Sequence, residues 1–105
     1  MKMYIAVLDQ VPDHMVPVLV AHSVLGAHLA WDHINKDYRD WLVNSFKKCV
    51  LKVNSKEFTR IAELLWVYRG YENTVLEGRP SCIVVCPCAE YPNVIKFAKL
   101  WKPNE

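Results

Sequence analysis

The sequence is poor in glycine: Gly26, Gly70 and Gly78 are the only three, spread over 105 positions. That scarcity excludes a glycine-rich phosphate loop and a dinucleotide-binding turn, both of which need clustered glycines for close backbone approach to a phosphate. No His-Glu-x-x-His run occurs either, which removes the helical zinc-protease arrangement. Charge of one sign is also lacking. Thirteen Lys and Arg against eleven Asp and Glu leave a formal +2, too mild to mark a nucleic-acid binder by itself, although a local patch decides more than the sum. The longest strongly apolar stretch, Met15 to Trp31, is interrupted by His22, Ser23 and His28, whereas a membrane span needs roughly 20 apolar residues. The apolar part of the opening segment, closed by Asp9, is too short for a secretory signal. A soluble, cytoplasmic protein with no membrane partner is therefore expected.

What is present is bulk for a core. Hydrophobic residues make up 52%, with four Trp, five Tyr and three Phe. Each large side chain buried is worth roughly 1.5–3 kcal/mol, so one domain covering residues 1–105 can be stable without crosslinks. Four cysteines (Cys49, Cys82, Cys86 and Cys88) are an even number, but with no signal segment and an ample core they read as reduced thiols. Cys82 and Cys86 would lie about 13 Å apart on an extended strand, too far to share one metal, and read as core residues. No metal and no cofactor are expected.

Periodicity and turn chemistry set the elements. Residues 3–9 suit a central strand, and 10–16 a loop. Pro17 suits a first helical turn, opening a helix to about Ala30 whose Ala21, Ser23, Gly26, Ala27 and Ala30 keep its surface thin. Asn35 or Asp37 caps a short helix ending near Asn44, with Tyr38, Trp41 and Leu42 on one face. Residues 47–53 form a second strand. Asn54 with Glu57 matches a capping box for a helix reaching Tyr68, with Gly70 as its left-handed cap. Thr74–Leu76 and Cys82–Cys86 read as a hairpin, and Pro92 opens a last helix closed by Pro103. The order β-α-(α)-β-α-β-β-α predicts an α/β fold: a mixed four-stranded sheet with helices on both faces, its first two strands parallel and its hairpin antiparallel.

Polar residues able to converge beyond the strand ends, the usual ligand position in an open α/β sheet, are Asp9, His14, His22, Ser23 and the 70–74 loop with Glu72 and Thr74. A direct relay between His22 and Ser23 is geometrically poor, because adjacent helix residues diverge by about 100°. Lys47, Lys48, Lys52, Lys56 and Arg60 form one basic cluster, and Lys96, Lys99 and Lys102 beside Trp101 a second. Either suits RNA phosphates or a solvated face. His28 and Asp32, four residues apart, suit a surface hydrogen bond.

Three stretches carry a family resemblance. Tyr4-Ile5-Ala6-Val7-Leu8-Asp9 followed by Val18-Leu19-Val20-Ala21-His22-Ser23 resembles the start of the type 2 peptidyl-tRNA hydrolases, where a strand ending in an acid leads into an Ala-rich helix with a polar cluster. Lys48-Cys49-Val50-Leu51-Lys52-Val53 with its Asn54-capped helix resembles their second strand and helix, and Val94–Leu100 their closing helix. The resemblance implies hydrolysis of the ester between peptide and tRNA, by a basic residue and a His on the first helix and an acid after the third strand. With Ser23 set against the family's Ser, Val24 falls at its His position, Met15 or Pro17 at its basic position and Gly70 at its acid position. Glu72 is two residues further on, and Thr74 matches a Thr. The implied catalytic residues are His22, Ser23 and Glu72, with Asp9, His14, Thr74, Lys48 and Lys52 in binding and tRNA or another RNA as partner. The alternative is a catalytically inactive module of the same fold that binds RNA, a small ligand or a protein. Homodimerisation through an exposed patch of Trp31, Trp41, Trp66 and Trp101 is a further expectation.

Overall fold

A computed structural model describes residues 1–104. It is an α/β fold on a mixed sheet of five strands rather than four, in the order β3-β4-β1-β2-β5. Strand β1 (Met3–Leu8) runs parallel to β2 (Lys48–Val53), from Met3 opposite Lys48 to Leu8 opposite Val53. Strand β4 (Cys82–Val85) lies antiparallel to β1 and to the edge strand β3 (Val67–Gly70). β3 therefore points the same way as β1, and Gly70, Cys82 and Val7 stand in line across the sheet.

Helix α1 (Val16–Trp31) covers one face, burying Val16, Leu19, Ser23, Ala27 and Trp31. Those spacings of three and four residues are one helical stripe. Pro17 sits in the first turn as expected. Of the small residues, Ser23 and Ala27 are buried towards the sheet and Gly26 is half-buried, while Ala21 and Ala30 face solvent, so the thin surface is a stripe and not the whole helix. Helix α2 (Lys36–Asn44) starts where Asn35 Oδ1 accepts the Tyr38 N–H at 2.9 Å, and buries Tyr38 and Trp41. One core cluster joins these helices to Met3, Ile5, Val7, Cys82, Val84 and Cys86. The other face holds Ala6, Leu51, Val53, Ile61, Ile83, Val85 and Ile95 under α3 (Ser55–Ala62) and α4 (Asn93–Lys96). Asn54 and Glu57 form the expected capping box, each side chain accepting the other's backbone N–H.

Three boundaries differ from the sequence expectation. Helix α3 stops at Ala62, not Tyr68, because Trp66 turns the chain at φ 56° and β3 begins at Val67. Gly70 therefore ends a strand instead of capping a helix, and Thr74–Leu76 is not the partner of β4: Val75 lies in a turn and Leu76–Gly78 is a single 3₁₀ turn. The closing helix is one turn long, and Lys99–Leu100 forms β5, antiparallel to β2. One compositional point also changes. Asp13–Trp31, 19 residues, is long and apolar enough by those two measures to cross a membrane, although in this fold α1 packs on the sheet.

Candidate active site

The contact between α1 and β3 is unusually close, and the two glycines explain it. A Cβ added at Gly70 would overlap the Ser23 side chain and come within 3.2 Å of its Cα, while one at Gly26 would overlap the Tyr68 ring. Glycine at both positions lets helix and edge strand touch. The next residues of the chain, which leave β3 at its C-terminal end, are thereby brought against the exposed side of α1.

His22 and Glu72 meet across that junction. His22 Nε2 is 3.0 Å from Glu72 Oε2, with the His side chain 56% exposed and the Glu 21%. Together with Tyr68, Gly70, Tyr71 and Asn73 they line an open cleft of about 320 Å³. Thr74 stands behind the acid, its hydroxyl 3.4 Å from the other carboxylate oxygen of Glu72. The carboxylate is thus approached by an imidazole on one oxygen and a hydroxyl on the other, an arrangement that orients a ring for proton transfer.

The remaining expected site residues go elsewhere. Ser23 is fully buried, and its hydroxyl donates to the Leu19 carbonyl at 2.8 Å. It points into the sheet while His22 points out, so a Ser23–His22 relay is absent and Ser23 packs Gly70 instead. Asp9 and His14 are exposed and do not line the cleft. Asp9 stands at the end of β1, where its backbone N–H bonds Val53. Lys48 lies opposite Met3, at the other end of the sheet. Its Nζ sits 3.3 Å from the Phe46 ring centroid and donates to the Phe46 carbonyl at 2.7 Å. Lys52 Nζ donates to the Lys102 carbonyl and to Asn104, beside the Trp101 ring. The expected joint site of eight residues contracts to His22 and Glu72, with Thr74 supporting.

Tyr71 and Asn73 lie in the 70–74 loop that the sequence marks, whereas Tyr68 is not singled out by sequence reasoning. Its signal lies in β3 itself: strand alternation turns Tyr68 and Gly70 to the α1 face and Arg69 away. That alternation is invisible while the segment is read as helix.

The buried thiols, Cys82 and Cys86, carry no such chemistry. All four cysteines are free. Burial pushes the Cys82 thiol up to about 12, with only a smaller lowering from the neighbouring Ser23 hydroxyl. Cys86 is also pushed up to about 12, by burial first and then by the nearby Cys88 and Asp37. Such thiols stay protonated and unreactive at neutral pH. His28 shares a hydrogen bond with the Tyr38 hydroxyl at 2.9 Å, and its other ring nitrogen is 3.9 Å from Asp32, which Arg39 also holds at 3.2 Å. That cluster is a helix-to-helix tie. Among the described residues, no three His, Cys, Asp or Glu side chains converge as metal ligands would.

Of the four tryptophans, Trp31 and Trp41 are core residues, Trp101 is half-buried and Trp66 is 49% exposed. Trp31 and Trp41 therefore drop out of the exposed patch expected for dimerisation. Compared with protein-family models and with curated proteins, the chain finds no match.

Proposed function

We propose that this protein hydrolyses an acyl ester of the kind that joins a peptide to tRNA, with His22 as the base that activates water. The observation that supports this reading is the 3.0 Å approach of His22 Nε2 to Glu72 in an open polar cleft. A histidine on the first helix and an acid following the third strand are also the residue types that the resemblance to type 2 peptidyl-tRNA hydrolases implies, and Glu72 lies two residues beyond Gly70, the position set against the family's acid.

The chemistry follows from the pairing. With its hydrogen on Nε2 donated to Glu72, the neutral imidazole keeps the Nδ1 lone pair free for a water molecule. As the water oxygen attacks the ester carbonyl, its proton passes to Nδ1, and the nearby carboxylate stabilises the imidazolium. Collapse of the tetrahedral intermediate breaks the bond to the ribose oxygen, which takes the proton back from His22. Acid and alcohol leave, and the base is regenerated. Tyr68 and Asn73 also line the cleft, and both side chains carry hydrogen-bond donors of the kind that stabilise an oxyanion. Ser23, buried and bonded to Leu19, takes no part, so no acyl-enzyme forms.

The test is release of N-acetylated amino acid from N-acetyl-aminoacyl-tRNA. Loss of a general base lowers turnover by roughly 10²–10⁴-fold, so His22→Ala should fall in that range while Ser23→Ala keeps its activity. Wild-type turnover that survives in His22→Ala would overturn the mechanism. A wild-type protein that binds tRNA without turnover would leave the binding-module reading in its place.

A further inference from the structure

The opposite face of β3 carries a second cleft that the ester chemistry does not use. Arg69, pointing away from Tyr68 and Gly70, and Arg79, in the turn before β4, line an open cavity of about 520 Å³ together with Gln10, Ser55 and Thr59 and an apolar wall that includes Phe58. Neither arginine has a carboxylate within salt-bridge distance among the described residues, whereas Arg39 does. Both are nevertheless held in place. Arg69 Nη2 donates to the Ala62 carbonyl at 2.6 Å, and Arg79 Nε to the Leu76 carbonyl at 3.0 Å. A guanidinium has five N–H donors in a fixed fork, so most of each fork remains open to solvent.

One hydroxyl stands on the same wall. Ser55, at the start of α3, lines the cleft with its side chain, which accepts from the Gln10 amide at 3.4 Å and keeps its own hydrogen to donate, whereas the Thr59 hydroxyl is already donated to the Ser55 carbonyl at 3.0 Å. Two fixed, acid-free guanidiniums with the Ser55 hydroxyl and the Gln10 amide beside them suit a phosphate, which accepts bidentate pairs from arginine.

We infer that the Arg69–Arg79 cleft holds a backbone phosphate of the RNA whose acylated end enters the His22–Glu72 cleft. The inference rests on the proposed function. The 71–81 connection joins the two sites: residues 71–73 border the first, and Leu76, Arg79 and Pro80 border the second. An RNA strand that crosses this loop at the sheet edge therefore reaches both.

The experiment measures binding of uncharged tRNA by fluorescence anisotropy over a range of salt, for wild type, Arg69→Gln/Arg79→Gln and Arg69→Lys/Arg79→Lys. The Gln pair should weaken binding roughly tenfold or more and reduce the log Kd against log salt slope by about one, while the Lys pair, which keeps the charge, recovers most of it. If the Gln pair does not fold, Arg79→Gln alone, in an exposed turn, should weaken binding about threefold. An unchanged Kd and slope in a folded Gln variant overturns the inference, as does inorganic phosphate bound by wild type with tRNA affinity indifferent to the arginines. Hydrolysis by His22→Ala is scored separately: its failure to fall sinks the ester mechanism, while the anisotropy alone decides the phosphate site.

Discussion

The two ends of the sheet hold cations and aromatics in opposite ways. Where β2 begins, Lys48 is spent on structure. Trp41 and Phe46 stack with centroids 5.6 Å apart, Lys48 closes over the Phe46 ring, and the Trp41 Nε1–H donates to the Lys47 carbonyl at 2.8 Å. Phe46 itself sits at φ 64°, a conformation that costs an L-residue roughly 1–2 kcal/mol, and this packing offsets it. Where β3 ends, the titratable groups pair across elements and stay wet, and two arginines spend one N–H each on a carbonyl. The Lys48 ammonium, which gives one N–H to its own turn and lies on the Phe46 ring, is held to that turn, whereas a guanidinium anchored at one corner still offers a fork. Lysine count along a strand is therefore a poor guide to where cations stand free in this chain.

The largest test of that contrast removes the acid from the wet end. Glu72→Gln keeps the side-chain shape but loses the charge that orients and stabilises the His22 ring. Turnover of N-acetyl-aminoacyl-tRNA should fall by at least about tenfold, less than for His22→Ala, with the loss in kcat rather than KM. An equal fall for both variants would place Glu72 in proton transfer itself.

The next effect is on stability and separates the two glycines. Gly70→Ala puts a methyl into Ser23 down to its backbone, and overpacking of this kind costs about 1–3 kcal/mol. Gly26→Ala meets the hydroxyl end of Tyr68, which can swing away, so its cost should be smaller. Urea midpoints give the order, and Ser23→Gly should recover part of the Gly70→Ala loss. Equal midpoints for the two Ala variants would mean that α1 and β3 are less tightly seated than the structure has them.

Here the limits of the sequence are physical. Asn35, Asn54–Glu57 and Pro17 announce helix starts by local hydrogen bonding and fixed φ, and all three stand where local chemistry puts them. The 62–81 segment had no such announcement. Leu64, Leu65 and Trp66 continue an apolar helical pattern, yet Leu65 is 87% exposed and Trp66 adopts a positive φ, a conformation no residue type advertises as glycine does. With the helix wrongly continued, β3 vanished and Gly70 became a cap. β5 is two residues long, and its pairing with β2 depends on the one-turn α4 bringing it back, which period 2 cannot register. At the site, His22 and Glu72 are legible as candidates, and helix geometry already argues against a His22–Ser23 relay; that Ser23 packs on Gly70 is a tertiary fact the sequence does not carry.

A third test uses pH and the thiols beneath α1. The ordinary thiol value is 9.0, and burial pushes Cys82 and Cys86 up to about 12. Between those values the unfolded chain releases protons that the folded chain retains. The unfolded state then binds fewer protons, so stability is intact below pH 9 and falls as pH rises, by up to about 1.4 kcal/mol per pH unit for each thiol. Cys82→Ala should flatten the alkaline slope of the urea midpoint by the share of one group, and an unchanged slope would mean that the thiol titrates normally in the fold.

The smallest expected effect lies at the end where β2 begins. Lys48→Ala removes the cation from the Phe46 ring and a donor from the Phe46 carbonyl, so it should lower stability by about 0.5–1 kcal/mol, the range of exposed cation–π contacts. Its shift in tRNA affinity should be smaller than that of Arg69→Gln/Arg79→Gln, because a net charge change far from the bound strand is largely screened at physiological salt. If Lys48→Ala instead weakens tRNA binding as much as the arginine pair, the strand runs along the α2 end of the sheet. The division between a structural lysine end and a ligand-holding arginine end would then have to be redrawn around Phe46 and Trp41 as a stacking platform.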